Sequence, residues 1–279
     1  MDIEQPVGLT QAEALALRYG REAAPPAGPW NDTIALLLSH RSVRGYRADP
    51  LPEGTLETLI AAAQSASTSS NLQAWSVVAV TNPEKKARLA RVANNQKHIE
   101  QCPLFLVWVA DISRNARLAE QESVMLETLP YLETFLVAVI DAALAAQNAV
   151  VAAESLGLSI VYIGALRNDP AEVAELLSLP KGAMGVFGLC VGYKAPGVTN
   201  EVKPRLPQSV VLHRERYDAT GERTARAGYD KLMAAFSQRN EMAMDSWTRR
   251  VIGRMGKIAA MSGRHKLVEI LRGMGFGLK

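Results

Sequence analysis

Apolar residues recur along this chain with two periods, near 3.6 and near 2, and the changes between them mark out the elements. Behind Thr10, the run QAEALALRYG carries apolar positions at helical spacing and predicts a short capped helix. REAAPPAGPW, residues 21–30, cannot continue it: two adjacent prolines and a Gly-Pro pair read as a linker. Asn31 or Asp32 then caps a helix that carries Ile34, Leu37 and Leu38 and ends near His40. Glu53 to Ser65 repeats the helical pattern with Leu56, Leu59 and Ile60 on one face, and SASTSSN follows as a loop. WSVVAV (75–80) is rich in β-branched residues and predicts a strand. A charged surface helix (83–93) and a second strand, PLFLVWVA (103–110), come next.

Helices are predicted over 116–128 and 131–156. The second is apolar on most sides, so it must be buried in a core or against a second subunit. LSIVYIG (158–164) and MGVFGLCVGY (184–193) complete four strands, with a short helix starting at Asp169 between them. A proline-rich loop, YKAPGVTNEVKPRLP, leads to helices from about Ala225 onward. Strands and helices alternate early and helices dominate late, which predicts one central sheet with helices around it, α+β or α/β.

Composition narrows the class. With 279 residues, 48% hydrophobic and 21% charged, the chain buries a sizeable core and is not disordered. The net charge of +3 is small but unevenly placed: from Thr248 to Lys279, eight Lys and Arg face a single acid, Glu269. That segment fits either an anionic partner or a solvated basic face on a packing helix. Leu267, Ile270 and Leu271 at helical spacing, with few aromatics to stack on bases, favour the packing helix over nucleic acid. Cys102 and Cys190 both lie in apolar runs and read as buried thiols in a reducing compartment. No zinc-ligand spacing occurs around the scattered histidines, so no metal is expected. The N-terminal sequence lacks the basic and apolar regions of a signal peptide. The most apolar stretch, 135–153, carries Asp141, Gln147 and Asn148 in its middle, which a membrane span avoids. A cytoplasmic chain is expected.

Four segments carry candidate chemistry. In His40-Arg41-Ser42-Val43-Arg44, guanidinium forks and a hydroxyl could hold a phosphate, or form a solvated loop. Lys203-Pro204-Arg205 offers a second cationic loop stiffened by proline; together the two could make one anion site. The hydroxyl-rich loop 67–73 could line a polar ligand edge, although capping and turn formation account for it equally well. VYIGALRN (161–168) ends a strand at Gly164, where a backbone can approach a flat ligand. There is no GxGxxG, Walker or GxSxG motif, and no nucleophile beside a base. Polar groups of this kind suit an enzyme whose bound cofactor does the bond chemistry.

Taken in order, HRSVRGY, SASTSSNLQ, NNQKHIEQC, AAQNAVVAAESLGL, VYIGALRN, LCVGY and KPRLP resemble the nitroreductase superfamily, in particular its oxygen-insensitive NADPH nitroreductase and NADPH-flavin oxidoreductase (flavin reductase P) branch. The resemblance implies an α+β fold with a mixed central sheet surrounded by helices, and an intertwined homodimer with FMN at its interface. Residues 1–30 would be an N-terminal extension, and 31–279 a single FMN-binding domain including the C-terminal helical segment. It further implies that His40, Arg41, Ser42 and Arg44 bind the flavin phosphate, ribityl chain and pyrimidine edge. Arg44 falls at the flavin N1/O2 edge, where a cation favours the charge that develops on hydride uptake. Thr68, Ser69 and Ser70, with Gln73 at the end of their loop, would come from the partner subunit. Gln96 would face the flavin pocket, and Tyr162, Ile163, Gly164, Ala165 and Leu166 would back the ring. Lys203 and Arg205 would form a second phosphate clamp. The implied reaction is ping-pong hydride transfer from NADPH or NADH through FMN to an electron-poor acceptor, a nitroaromatic or quinone, with no side chain acting as catalytic base.

Three departures mark this chain. It has Ala165 where the branch has Gly, so the backbone there must accept a Cβ. Asn71 stands where the branch has an aromatic residue near the acceptor pocket. Around Arg239, where the branch grips the NADPH 2′-phosphate with arginines, this chain offers Glu241, Met242 and Met244. NADPH preference is therefore weakened, or is supplied by Arg239, Arg249 or Arg250. Rival readings are an NAD(P)H:flavin reductase on the same fold, and a non-catalytic flavin- or nucleic-acid-binding protein.

Overall fold

The structure, a computed structural model, describes residues 9–198, 200–243 and 245–279. In chain order the elements begin with α1 (Gln11–Tyr19), α2 (Asp32–Ser39), α3 (Thr55–Gln64), β1 (Trp75–Val80), α4 (Pro83–Val92) and α5 (His98–Gln101). There follow β2 (Leu104–Asp111), α6 (Ser113–Gln121), α7 (Leu132–Ser155), β3 (Ser159–Ile163), α8 (Pro170–Leu177) and β4 (Ala183–Gly192). The chain closes with α9 (Gln208–Val211), α10 (Glu222–Arg239), α11 (Trp247–Met255) and α12 (Leu267–Gly273). Two compact units result. Among the described residues, one is built from 9–41 with 200–261, the other from Ser42–Val198 with Ser262–Lys279.

The second unit contains the sheet, in the order β1-β2-β4-β3. Leu106 and Trp108 of β2 point into one cluster with Leu59 and Ala63 of α3 and Ala145, Ala149 and Val150 of α7. Phe105 and Val107 point the other way, onto Leu89 of α4 and Val173 of α8. A strand covered on both faces is apolar at every position, which is why β2 reads as a continuous run rather than an alternation. The α+β class is as expected, but the sheet is not mixed: the three strand pairs are all antiparallel. The parallel component is an isolated bridge between Ser42 and Ile160, after which the same strip forms an antiparallel bridge, Tyr46 with Lys194.

Helix α7 buries an alanine-rich face, Ala138, Ala142, Ala145, Ala146 and Ala149, so its backbone approaches α3 and the sheet closely. Leu132, Leu136, Ile140 and Leu144, four residues apart, stay exposed on another face. By length and composition α7 could cross a membrane, yet it buries Asp141 beneath the loop 68–74 of its own unit. The helix expected over 116–128 starts earlier and stops sooner. The Asp111 carboxylate accepts from Ser113 N (3.0 Å) and Ser113 Oγ (2.5 Å), which starts α6 at Ser113, and a left-handed Ser123 (φ 53°) follows its end.

The first unit rests on α10, where Tyr229, Met233 and Phe236 pack with Leu206, Leu232 and Trp247. Thr10 and Glu13 form a reciprocal capping box at the start of α1. Asn31 caps α2 through the Ile34 amide at 2.9 Å.

Candidate functional site

In the second unit, the strip after Arg41 is anchored from below. Val43 N donates to Ile160 O at 2.9 Å, and Ala195 N donates to Gly45 O at 3.0 Å. Val43 and Tyr46 are buried in the core, and the Tyr46 hydroxyl donates to Val43 O at 2.9 Å. A Cβ at Gly45 would lie 2.7 Å from Val198 Cγ2, so any larger residue there requires Val198 to shift. Spacing of the buried positions leaves Arg41 and Arg44 exposed. His98, whose Nε2 is buried with no hydrogen-bond partner, has its pKa lowered by burial and then by the charge of Arg44. An unpaired buried donor or acceptor beside a cation is a feature of ligand-binding surroundings more than of a packed core.

The hydroxyl-rich loop is organised from beneath by Asp141 of α7, which is 1% exposed. Its carboxylate accepts from Thr68 Oγ1 at 2.5 Å, from Ser69 N at 3.1 Å and from Ala74 N at 3.2 Å. Thr68 Oγ1 in turn accepts from Gln73 N at 3.0 Å. Thr68 therefore works inward, as a turn former, whereas Ser69, Ser70, Asn71 and Gln73 are exposed. Ser70, Asn71 and Gln73 all have positive φ (47°, 55° and 49°), a cost of about 1–3 kcal/mol each that the Asp141 contacts must sustain.

At the end of β3, Tyr162 meets Phe187 edge-on at 5.2 Å, and Ile163 is buried. Gly164 opens a 3-10 turn, Gly164–Asn168. Ala165 has an ordinary negative φ, and its Cβ is absorbed by the core cluster beside Leu166. The backbone there accepts the side chain, as this departure from the family pattern requires. Gln96 is half-buried just before α5, after two left-handed asparagines, Asn94 and Asn95.

The first unit holds His40, Arg41, Lys203, Arg205 and Arg239. His40 ends α2. Its carbonyl and that of Lys203 both accept from one guanidinium, that of Arg18 in α1, at 3.0 Å and 2.8 Å. The two cationic loops of the sequence thus do converge at their backbones. Lys203 Nζ lies 5.8 Å from the Phe236 ring centre, and the exposed Arg205 folds onto Lys203 O at 3.1 Å. Arg239 is engaged by Glu201 in a fork with contacts of 2.8–3.2 Å, which lowers the Glu201 pKa and raises that of Arg239. Arg249 pairs with Asp245 at 3.0 Å, and Arg250 donates to Ser237 Oγ at 3.1 Å. Met244 lies outside the described residues.

Comparison with known proteins bears on what this arrangement is. The model of the Nitroreductase family matches residues 37–193, and that of the Nitroreductase family, C-terminal domain, matches residues 203–279. The chain belongs to the nitroreductase family. Among relatives of this nitroreductase-family chain, the FMN reductase (NADPH) of Bacillus subtilis is 39% identical over 230 residues, 81% of this chain and 92% of that protein. The NADPH-flavin oxidoreductase of Vibrio harveyi is 38% identical over 239 residues, 85% and 95% of the two chains. The solved structure of B. megaterium NfrA1 superposes with a TM-score of 0.82 at 40% identity, covering 88% of this chain and 100% of that one.

The nitroreductase-family segments include every sequence-predicted site residue and leave out α1 with Arg18. Two residues that organise these loops, Asp141 and Arg18, were not read from the sequence as site candidates. Asp141 had a signal, a lone carboxylate in an apolar helix; Arg18, in the last turn of α1, had none. Among the described residues no group of three or more His, Cys, Asp or Glu could hold a metal ion.

Proposed function

We propose that this nitroreductase-family chain is an FMN-dependent oxidoreductase that uses NADPH or NADH to reduce a small, electron-poor acceptor such as a nitroaromatic or quinone. The observation that carries the reading is the meeting of the His40 and Lys203 backbones on Arg18, which sets the two cation-bearing loops beside each other. The residues present fit the cofactor. Arg41, Lys203 and Arg205 offer guanidinium and ammonium donors, and Ser42 a hydroxyl, the donor set a phosphate monoester requires. His40 adds a contact along the same strip, and Arg44 brings positive charge to the pyrimidine edge. Tyr162, Ile163, Gly164, Ala165 and Leu166 form the backing wall, stiffened by the burial of Ile163, Ala165 and Leu166. On this reading Gln96 would face the flavin. When bound, FMN supplies two-electron redox chemistry between the nicotinamide and the acceptor.

On this reading the protein is a homodimer. The exposed Leu132, Leu136, Ile140 and Leu144 of α7 supply an apolar face for a second copy, whose Ser69, Ser70 and Gln73, on a loop that Thr68 ties inward, complete the site and whose Asn71 borders the acceptor. A reducing compartment, the cytoplasm, suits a dinucleotide-dependent enzyme with two buried free thiols. Free flavin is a second candidate acceptor, favoured by the two relatives, an FMN reductase and an NADPH-flavin oxidoreductase. Initial rates of FMN-loaded protein at varied NADPH and menadione test the proposal. Parallel double-reciprocal lines are expected; absence of menadione-dependent NADPH oxidation would refute it.

A further inference from the structure

We infer that Arg18, in a helix outside both family-matched segments, is a positioning residue that locks the two cationic loops into one anion site. The inference rests on the phosphate role proposed above for Arg41, Lys203 and Arg205. Arg18 is 5% exposed, so its guanidinium is spent on the protein and not on solvent. Nη2 donates to Leu38 O at 2.6 Å and to His40 O at 3.0 Å, at the carbonyl-rich end of α2. Nη1 donates to Lys203 O at 2.8 Å. The bond is returned by the chain itself, since Arg205 N donates to Arg18 O at 2.8 Å. Between them, Pro204 O accepts from the buried Tyr229 hydroxyl at 2.9 Å. Residues 203–205 are therefore held at successive backbone groups, and the stretch entering Arg41 is held by the same side chain.

A buried cation is costly unless its donors are satisfied, and backbone carbonyls at a helix C-terminus are favourable partners for it. The rigid guanidinium fork can reach three carbonyls on two segments; a lysine ammonium cannot reproduce that spread. Arg18 adds no contact to a ligand. Its effect is to hold the two cationic loops in place before the anion arrives, so that binding does not have to order them.

Riboflavin, which lacks the phosphate of FMN, separates this role from general structural support. Affinities of apo-protein for both flavins are measured by flavin fluorescence for the wild type, Arg18→Met and Arg18→Lys, with thermal melts to confirm folding. Arg18→Met is expected to weaken FMN binding about 10- to 100-fold, the range seen when a residue that orients direct ligands is lost. Riboflavin affinity is expected to stay within about threefold, so the preference for FMN collapses. Arg18→Lys, the milder change should Arg18→Met not fold, is expected to lose part of that preference. Variants that keep the wild-type FMN-to-riboflavin ratio would overturn the role of Arg18 alone. A wild type with no preference for FMN would overturn the phosphate assignment and with it this inference.

Discussion

Removing the Asp141 carboxylate tests whether one buried charge holds the hydroxyl-rich loop in its strained shape. In Asp141→Ala, three hydrogen bonds to a charged acceptor disappear, from Thr68 Oγ1, Ser69 N and Ala74 N. At about 1.5–3 kcal/mol each, the gross loss is several kcal/mol. Part is recovered because the cost of desolvating the carboxylate is removed, and because Ser70, Asn71 and Gln73 can leave their positive-φ conformations at about 1–3 kcal/mol each. The Ala74 amide, on a buried residue, is left without its acceptor. A net destabilisation of about 3 kcal/mol follows, or about 5–10 °C in Tm. Urea unfolding at constant protein concentration measures it, and hydrogen exchange at the Ser69 and Ala74 amides locates it. Asp141→Asn should fall between, since an amide presents one acceptor oxygen where two are used. A change under about 1 kcal/mol in Asp141→Ala, with both amides still protected, would refute the reasoning.

The Arg239–Glu201 fork competes with any phosphate for the same guanidinium. Glu201→Gln should raise the ratio of kcat/KM for NADPH over NADH by about tenfold, and an unchanged ratio would show that Arg239 does not contact the 2′-phosphate. Ile140→Asp in the exposed stripe of α7 should shift the protein from dimer to monomer in sedimentation velocity and lower FMN occupancy with it. Asp111 supplies a pH dependence. Burial raises its pKa, but bonds from the Ser113 and Ser76 hydroxyls and the Ser113 amide outweigh this and leave it lowered. A folded-state pKa below the unfolded value stabilises the fold above about pH 4, and the contribution is lost as pH falls through the depressed value. Asp111→Asn should therefore be less stable at pH 6 and show a flatter acid limb in melts below about pH 4.

What could be read without coordinates was whatever is encoded locally. The Thr10 cap and the Asn31 cap, the latter one of two candidates, each lie within four residues of chain, and both form. β1 spans the same six residues as its β-branched run. Where a side chain overrides local pattern, the reading slips: Asp111 seizes Ser113 and starts α6 ahead of its apolar periodicity. The site divides the same way. The order of the motifs pointed to the family, but Arg18 and Asp141 act on partners 185 and 73 residues away, and no window along the chain contains both ends of those contacts. The sheet shows a third limit, since strand direction follows from connections that hydropathy alone does not encode.

The central claim, an FMN-loaded nicotinamide oxidoreductase, is tested most directly by the visible absorption spectrum of the FMN-reconstituted protein before and after anaerobic addition of NADPH. Flavin bands that co-elute with the protein and bleach on addition are predicted. Protein that emerges colourless from reconstitution, or bands that NADPH and NADH both leave unchanged, would contradict it.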